Sequence, residues 1–380
     1  MKRANGEGNI RKRANGTWEG RYSVVENGKT VRRSVYGKTQ AEVRKKINEI
    51  TNTIDNGVYI KPEKITVGEW FDIWHKEYLS DVTDSTKSQY DYQGRVHIKP
   101  RIGNLPLQSV TSPVLQRFYN QCGEKLSPKS VKNLHGVLHE CLTQAVLSGY
   151  IKSNPADNCV LPRIEKREMQ TIPATKIKEF REAIHNDPYE NLYIVDLFTG
   201  MRQGEIIGLT WDCVDFEKGI IKVDKQFRKD HGLAGSQYAF SATKTGKKRV
   251  LKPADIVMDS LRSERKKQLT NKLKNGSAFN NADNLVFTNE IGEHFTGVTV
   301  YNHLKAILKK IGLEGVRFHD LRHTYATLSI QNGDDLKTVS ENLGHSTIST
   351  TADIYLHVTE EMKKASADRM NDFIRKVSEN

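Results

Sequence analysis

"FHDLRHTYAT", residues 318–327, sets two histidines and an arginine within five positions of a stretch that reads as helix. On a helix, His319 and His323 lie one turn apart with Arg322 beside them. Crowding cationic or potentially cationic groups on one turn calls for something anionic or metallic, or for a histidine hydrogen-bonded in a core. Zinc sites do use histidines at this spacing. Here, however, Arg322 would lie beside the cation, and no acidic or cysteine third ligand accompanies the pair. A core role suits His323 alone. An anion site uses the whole turn, because an arginine forks onto two phosphate oxygens and a histidine adds a hydrogen bond.

Other stretches carry the same chemistry. "TGMRQGE" puts Arg202 just after a glycine turn at the start of a helix, where backbone amides favour anions. "ATKTGKKRV" puts Lys244 at an expected hairpin tip, and "LGHSTISTTADIYLHV" supplies His345 and, ten residues later, Tyr355. Two arginines, two histidines, a lysine and a tyrosine form a phosphoryl-transfer set with no metal and no cofactor. Arginines neutralise charge developing on a phosphate. A tyrosine attacks and forms a covalent intermediate; its free pKa of about 10 means that a base or a strongly cationic site must assist. A lysine or histidine protonates the leaving oxygen. Glu205, three residues after Arg202, is either a buttress of this site or a helix-surface carboxylate.

Composition agrees with an anionic partner. The 380 residues include 59 basic and 46 acidic ones, a net charge of +13, which suits a polyanion. No apolar run is long enough to span a bilayer, and no signal peptide opens the chain. The scattered cysteines 122, 141, 159 and 213 form no metal pattern and read as reduced thiols of a cytosolic protein.

Three parts are expected. Residues 1–60 alternate like strands in "GTWEGRYSVV" and "KTVRRSVY" around Asn27-Gly28, the strongest short hairpin signal. Thr39 and Glu42 then form a capping box before a helix. Thirteen basic residues face six acidic ones here. Arg21, Arg32 and Arg33 interleave with Trp18, Tyr22 and Tyr36, which fits a β-ribbon lying on DNA. Residues 65–155 read all-helical. A Thr66/Glu69 capping box precedes a core stripe of Trp70, Trp74 and Tyr78. Ser127-Pro128 starts a long helix with Val131, Leu134, Leu138, Cys141, Leu142 and Ala145 on its apolar face, ending near Gly149. A stretch rich in Pro, Asn and charge, "KSNPADNCVLPRIEKRE", links to residues 170–380, which are mostly helical with a small sheet ("KGIIKV", "KKRVL"). After Thr359, a cap residue followed by acids in the first turn, a tail helix is expected with Met362, Met370, Phe373, Ile374 and Val377 on its apolar side.

With these motifs in order, the chain resembles the tyrosine recombinases of the phage-integrase type, particularly those of conjugative transposons. That family's ordered signature, Arg, Lys, His-x-x-Arg, His and Tyr, is matched by Arg202, Lys244, His319 with Arg322, His345 and Tyr355. The resemblance covers the whole chain. It implies a multidomain fold: a small α+β N-terminal DNA-binding domain, an all-α core-binding domain and a mainly α catalytic domain with a small antiparallel sheet. It also implies cutting and rejoining of DNA through a 3′-phosphotyrosine intermediate, without metal or ATP. Double-stranded DNA with core and arm sites, assembly as a tetramer on DNA, a directionality factor and a nucleoid-associated bacterial cytosolic location follow from it. The apolar side of the tail helix must bury either on its own catalytic domain or in trans on a neighbouring subunit, and the trans docking that would hold a homotetramer on DNA is the expectation. A type IB topoisomerase is the alternative enzyme with similar chemistry; a purely DNA-binding regulator needs none of the six residues in register.

Overall fold

The computed structural model describes residues 9–26, 29–55, 64–165, 169–229, 238–243, 246, 248–348 and 351–352, together with positions 367, 368, 370, 371, 374, 375, 377 and 378. The chain divides into two compact units, residues 1–165 and 166–380. Among the described residues no helix is long and apolar enough to cross a membrane, and all four cysteines are free.

The first unit opens with a three-stranded antiparallel sheet, β1 (Asn9–Lys12), β2 (Trp18–Glu26) and β3 (Lys29–Gly37), in that order. Alternation in β2 sends Tyr22 and Val24 inward, both buried, while Arg21, Ser23 and Val25 stay exposed. The inward face packs on α1 (Gln40–Asp55), whose Val43 and Ile47 are one turn apart and buried. Gly20 is needed at the contact, because a Cβ there would come within 2.4 Å of the Val43 side chain. Thr39 accepts from the Glu42 N–H (3.2 Å), while the Glu42 carboxylate takes the N–H of Lys38 (2.9 Å) rather than that of Thr39. Asn27 and Gly28 lie outside the described residues, although the ladder runs up to the Glu26–Lys29 pair.

The helical part follows with α2 (Val67–Glu77), α3 (Asp84–Gln93), a π turn over Gly94–Ile98, α4 (Lys99–Ile102), α5 (Ser112–Gly123) and α6 (Pro128–Leu147). Thr66 and Glu69 make the expected reciprocal capping box, and the Ser127 hydroxyl accepts from the Ser130 N–H. The α6 stripe is buried as expected from Val131 to Ala145. Trp70 and Trp74 are buried too, and the Trp70 indole donates to the Cys141 carbonyl at 2.9 Å. Tyr78 departs from the expected core stripe. It is the C-cap of α2, where the backbone leaves helical geometry, and is 40% exposed.

In the second unit, α7 (Ile177–Ala183), α8 (Glu190–Thr199) and α9 (Gln203–Ile207) precede the strands β4 (Val214–Asp215), β5 (Ile220–Val223), β6 (Lys225–Lys229), β7 (Tyr238–Ala242) and β8 (Arg249–Leu251). Helices α10 (Asp255–Asn275), α11 (Gly297–Lys310), α12 (Phe318–Gln331) and α13 (Leu336–Leu343) complete it. The core joins α8, the strands and the later helices through Tyr193, Leu197, Ile221, Leu261, Phe287 and Leu321. The strands form two small antiparallel sheets, β4-β5-β8 and β6-β7. The expected hairpin around Lys244 is therefore corrected. Its flanking strands are not each other's partners, because β7 pairs with β6 while β8 pairs with β5, where Leu251 buries opposite Ile221.

Candidate active site

Two helix ends build the site. Helix α8 stops at Gly200, which is left-handed (φ 62°), and a Cβ there would meet Tyr325 at 2.6 Å and Leu343 at 2.7 Å. Helix α13 stops at Gly344, also left-handed (φ 64°). Each end leaves carbonyls without helical partners and carries the negative end of a helix dipole. Three arginines satisfy them. Consecutive carbonyls at the end of α13 each take one guanidinium: Asn342 accepts from Arg249 Nε (2.7 Å), Leu343 from Arg322 Nη2 (2.5 Å) and Gly344 from Arg202 Nη2 (3.0 Å). Arg322 Nη1 also donates to the Gly200 carbonyl at 2.7 Å.

One carboxylate shares this cluster. Glu205, buried in α9, accepts from Arg202 Nη1 (2.8 Å) and the Arg202 N–H (2.9 Å), and from both ends of the Arg249 fork (3.2 and 2.7 Å). This is the buttress reading of Glu205; the surface-carboxylate reading is excluded by its burial. Burial works to raise the Glu205 carboxyl, but Arg249 and then Arg202 outweigh it and hold it below its ordinary value. Asp196 is a second acid nearby, fully buried, with neither carboxyl oxygen hydrogen-bonded among the described residues. Burial pushes it well above its ordinary value against the pull of Arg322. The centre therefore keeps an excess of positive charge.

Helix α12 begins with Arg317 and Asp320. The buried Asp320 carboxylate takes the Arg317 N–H at 2.8 Å and the Arg317 guanidinium at 3.1 and 3.2 Å. This closes the first turn and sets His319. The His319 and His323 rings meet edge to face, 5.0 Å between centroids. His319 is pushed down to about 4, by burial first and then by His323 and Arg322. His345, whose Nδ1 pairs with the Thr351 hydroxyl at 2.8 Å, is also pushed down to about 4, by burial and then by Arg322 and Arg202. Both rings are uncharged near neutrality. His323 is lowered as well, chiefly by burial, and its Nδ1 is buried without a partner among the described residues. Arg322, 2% exposed, is pulled down to about 9 by burial and by Arg202, and stays charged.

Arg202, His319, Arg322 and His345 thus converge. Lys244 and Tyr355 lie outside the described residues. Arg249 was not among the residues singled out in the sequence.

The N-terminal arginines divide by register. Arg21 faces Ser34 and Ser23 faces Arg32 across the ladder, so Arg21 and Arg32 share the outer face of the sheet; Arg33, opposite Tyr22, falls on the side toward α1. The outer face also carries Glu19, 4% exposed, which the sequence did not mark. It binds Arg11 at 2.7 Å, Arg21 at 3.3 Å and the Ser34 hydroxyl at 3.0 Å. The Arg11 hydrogen bond holds its carboxyl down at about 2.

A buried guanidinium cluster beside uncharged histidines is chemistry suited to an anion such as a phosphate. Comparison with known proteins then places the chain. Residues 166–362 match the Phage integrase family, and residues 66–122 match its N-terminal SAM-like domain. The chain is 32% identical to the tyrosine recombinase XerC-like protein of Caldanaerobacter subterraneus subsp. tengcongensis, over 91% of this chain and 93% of that one. It is 27% identical to the ICEBs1 integrase of Bacillus subtilis, over 77% and 79%. Among solved structures, the Tn1549 transposon integrase with transposon right-end DNA matches with a TM-score of 0.68 at 23% identity, covering 81% of this chain and all of that one. A lambda integrase tetramer bound to a Holliday junction matches at 0.60 and 17%, covering 93% and 96%. The chain belongs to the phage integrase family. It is a tyrosine recombinase, an enzyme of site-specific DNA recombination, and the topoisomerase alternative is not favoured. What the chain shares with the Tn1549 transposon integrase is the fold.

Proposed function

We propose that this recombinase serves integration and excision of a mobile element, and that it cuts and rejoins each strand through a 3′-phosphotyrosine. Convergence of three guanidinium groups at the end of α13, two of them sharing Glu205, with two uncharged histidines alongside, carries this reading. Arg202 and Arg322 hold the oxygens of the scissile phosphate. The Tyr355 hydroxyl oxygen attacks phosphorus as the bond to the 5′-oxygen breaks. His319, uncharged and so able to accept, takes the tyrosine proton; Lys244 gives one to the leaving 5′-oxygen; His345 hydrogen-bonds the phosphate. A 5′-hydroxyl from the partner duplex reverses these steps, so the ester conserves the bond and no ATP is needed. The arginines supply the charge that metal ions supply elsewhere. The test is covalent capture on nicked duplexes carrying the element's ends, in excess EDTA. A denaturation-resistant adduct at a 3′-phosphate is expected; a strict divalent-ion requirement for cleavage would overturn the assignment.

Residues 1–60, 65–155 and 170–380 act in this reading as the arm-binding, core-binding and catalytic domains, in a bacterial cytosol at the nucleoid, with a directionality factor as further partner. The outer sheet face bearing Arg21 and Arg32 lies on arm DNA; Arg33, toward α1, is the weaker candidate of the three. Arg21→Ala with Arg32→Ala should lower arm-site affinity at least about tenfold and flatten its salt dependence by roughly two phosphate contacts, leaving core-site cleavage unchanged. Equal arm binding by the double variant would remove this face from the interface.

The tail helix joins subunits. Met370, Ile374 and Val377 recur one turn apart and are 58%, 53% and 60% exposed, which supports this reading; Met362 and Phe373 lie outside the described residues. Docking on a neighbouring subunit covers it and builds the homotetramer on DNA. Ile374→Asp should weaken synaptic-complex assembly at least about tenfold, by loss of a buried side chain worth about 2 kcal/mol, while single-site binding and melting temperature hold. A fall in melting temperature with no assembly defect would place the helix against its own domain.

A further inference from the structure

We propose that Arg249 is a positioning residue of the strand-transfer reaction: by sharing Glu205 with Arg202 and binding the Asn342 carbonyl, it keeps Arg202 available to the phosphate and ties β8 to the end of α13. The inference rests on the reading of Arg202 as a phosphate ligand. Arg249 itself is not placed to be one. All three of its nitrogens are committed, Nε to Asn342 and both terminal nitrogens to Glu205, whereas Arg322 keeps Nε without a partner among the described residues. Arg202 commits Nη1 and Nη2, is 17% exposed, and has no partner for Nε among the described residues.

The geometry gives Arg249 two tasks. Glu205 is buried, so its charge must be compensated from within. With Arg249 forked onto both of its oxygens, Arg202 meets it through one guanidinium nitrogen and its own N–H. Without Arg249, the bare carboxylate draws the Arg202 fork onto itself, since a bidentate pair is the preferred geometry, and the charge meant for phosphate is quenched. The second task is mechanical. Arg249 opens β8, five residues after Lys244, and its Nε bond fastens that strand to the turn that leads through Gly344 into His345. The fit is close enough that a Cβ on Gly344 would stand 3.1 Å from Arg249 Nη1.

The experiment compares single-turnover cleavage of a nicked core-site duplex at saturating enzyme across Arg249→Gln, Arg249→Lys, Glu205→Gln and the double variant Arg249→Gln/Glu205→Gln, with core-site affinity and melting temperature recorded for each. Arg249→Gln should cut the cleavage rate by about a hundredfold, the scale of losing one charge-stabilising group, with affinity within about threefold. Arg249→Lys should recover part of the loss, since it restores charge but not the fork. The double variant should cleave about tenfold faster than Arg249→Gln, because the carboxylate that captures Arg202 is gone. A double variant no faster than Arg249→Gln overturns the proposal. If Arg249→Gln does not fold, Arg249→Lys with and without Glu205→Gln decides by the same comparison. Arg202→Lys, run alongside, separates the two readings: its retention of cleavage removes Arg202 as phosphate ligand, whereas its inactivity without rescue in the Arg249 series defeats only this inference.

Discussion

Tyr355→Phe is expected to yield no covalent protein–DNA adduct, a loss on the order of 10⁴-fold or more as for removal of other enzyme nucleophiles, while core and arm DNA still bind within about threefold. Only the hydroxyl is removed, and affinity comes mostly from backbone phosphates contacted elsewhere. Thr351, buried and hydrogen-bonded to His345, anchors the chain four residues before Tyr355. Tyr325 is the competitor to exclude, since it lies one turn after Arg322 on α12. Its ring packs against Gly200 and its hydroxyl accepts from the Asn342 side-chain amide at 3.2 Å, which fits a wall of the α8–α13 junction. Adduct formation by Tyr355→Phe, or its loss in Tyr325→Phe, would move the nucleophile.

Residue order made much of this legible. Capping at Thr66 and Ser127, the α6 stripe and the α8–glycine–α9 run are set by neighbours within about one helical turn, so local chemistry decides them. Arg202, His319, Arg322 and His345 were readable for another reason: their residue types are costly to bury without a function, and four of them recur with phosphate chemistry. What escaped depends on contacts far apart in the chain. Arg249 reaches Asn342 across 93 positions and Glu205 across 44. A trace of it exists in β8, where the arginine turns inward while Val250 is 58% exposed and Leu251 is buried, the reverse of an ordinary surface strand. The expected Lys244 hairpin failed because strand-like runs on both sides of a glycine turn do not reveal which partner each one takes; here β5 and β6 had already claimed them. Arg32 and Arg33 are neighbours in sequence, and only the register shows that pleating sends them to opposite faces.

Arg322→Gln sets catalysis against stability, and the two respond unequally. The guanidinium donates to the Gly200 and Leu343 carbonyls at 2.7 and 2.5 Å. A glutamine amide reaches at most part of this, and an unsatisfied buried acceptor costs about 1–3 kcal/mol. Against that, the wild-type charge is buried beside Arg202 and Arg249, with burial and Arg202 both opposing it. Removing it relieves a desolvated like-charge contact and offsets part of the loss. The net change in stability is therefore expected to stay within about 2 kcal/mol, a shift of melting temperature that leaves the protein folded at assay temperature. Nothing offsets the catalytic loss. The charge and the remaining N–H groups that Arg322 offers the phosphate in the transition state disappear, and single-turnover cleavage should fall about 10²–10³-fold. Arg322→Lys should lie between, with charge retained but a single point of contact in place of two. Cleavage by folded Arg322→Gln within tenfold of the unsubstituted protein would show that Arg322 only braces the junction of α8 with α13, and that the phosphate is held by Arg202 and the histidines alone.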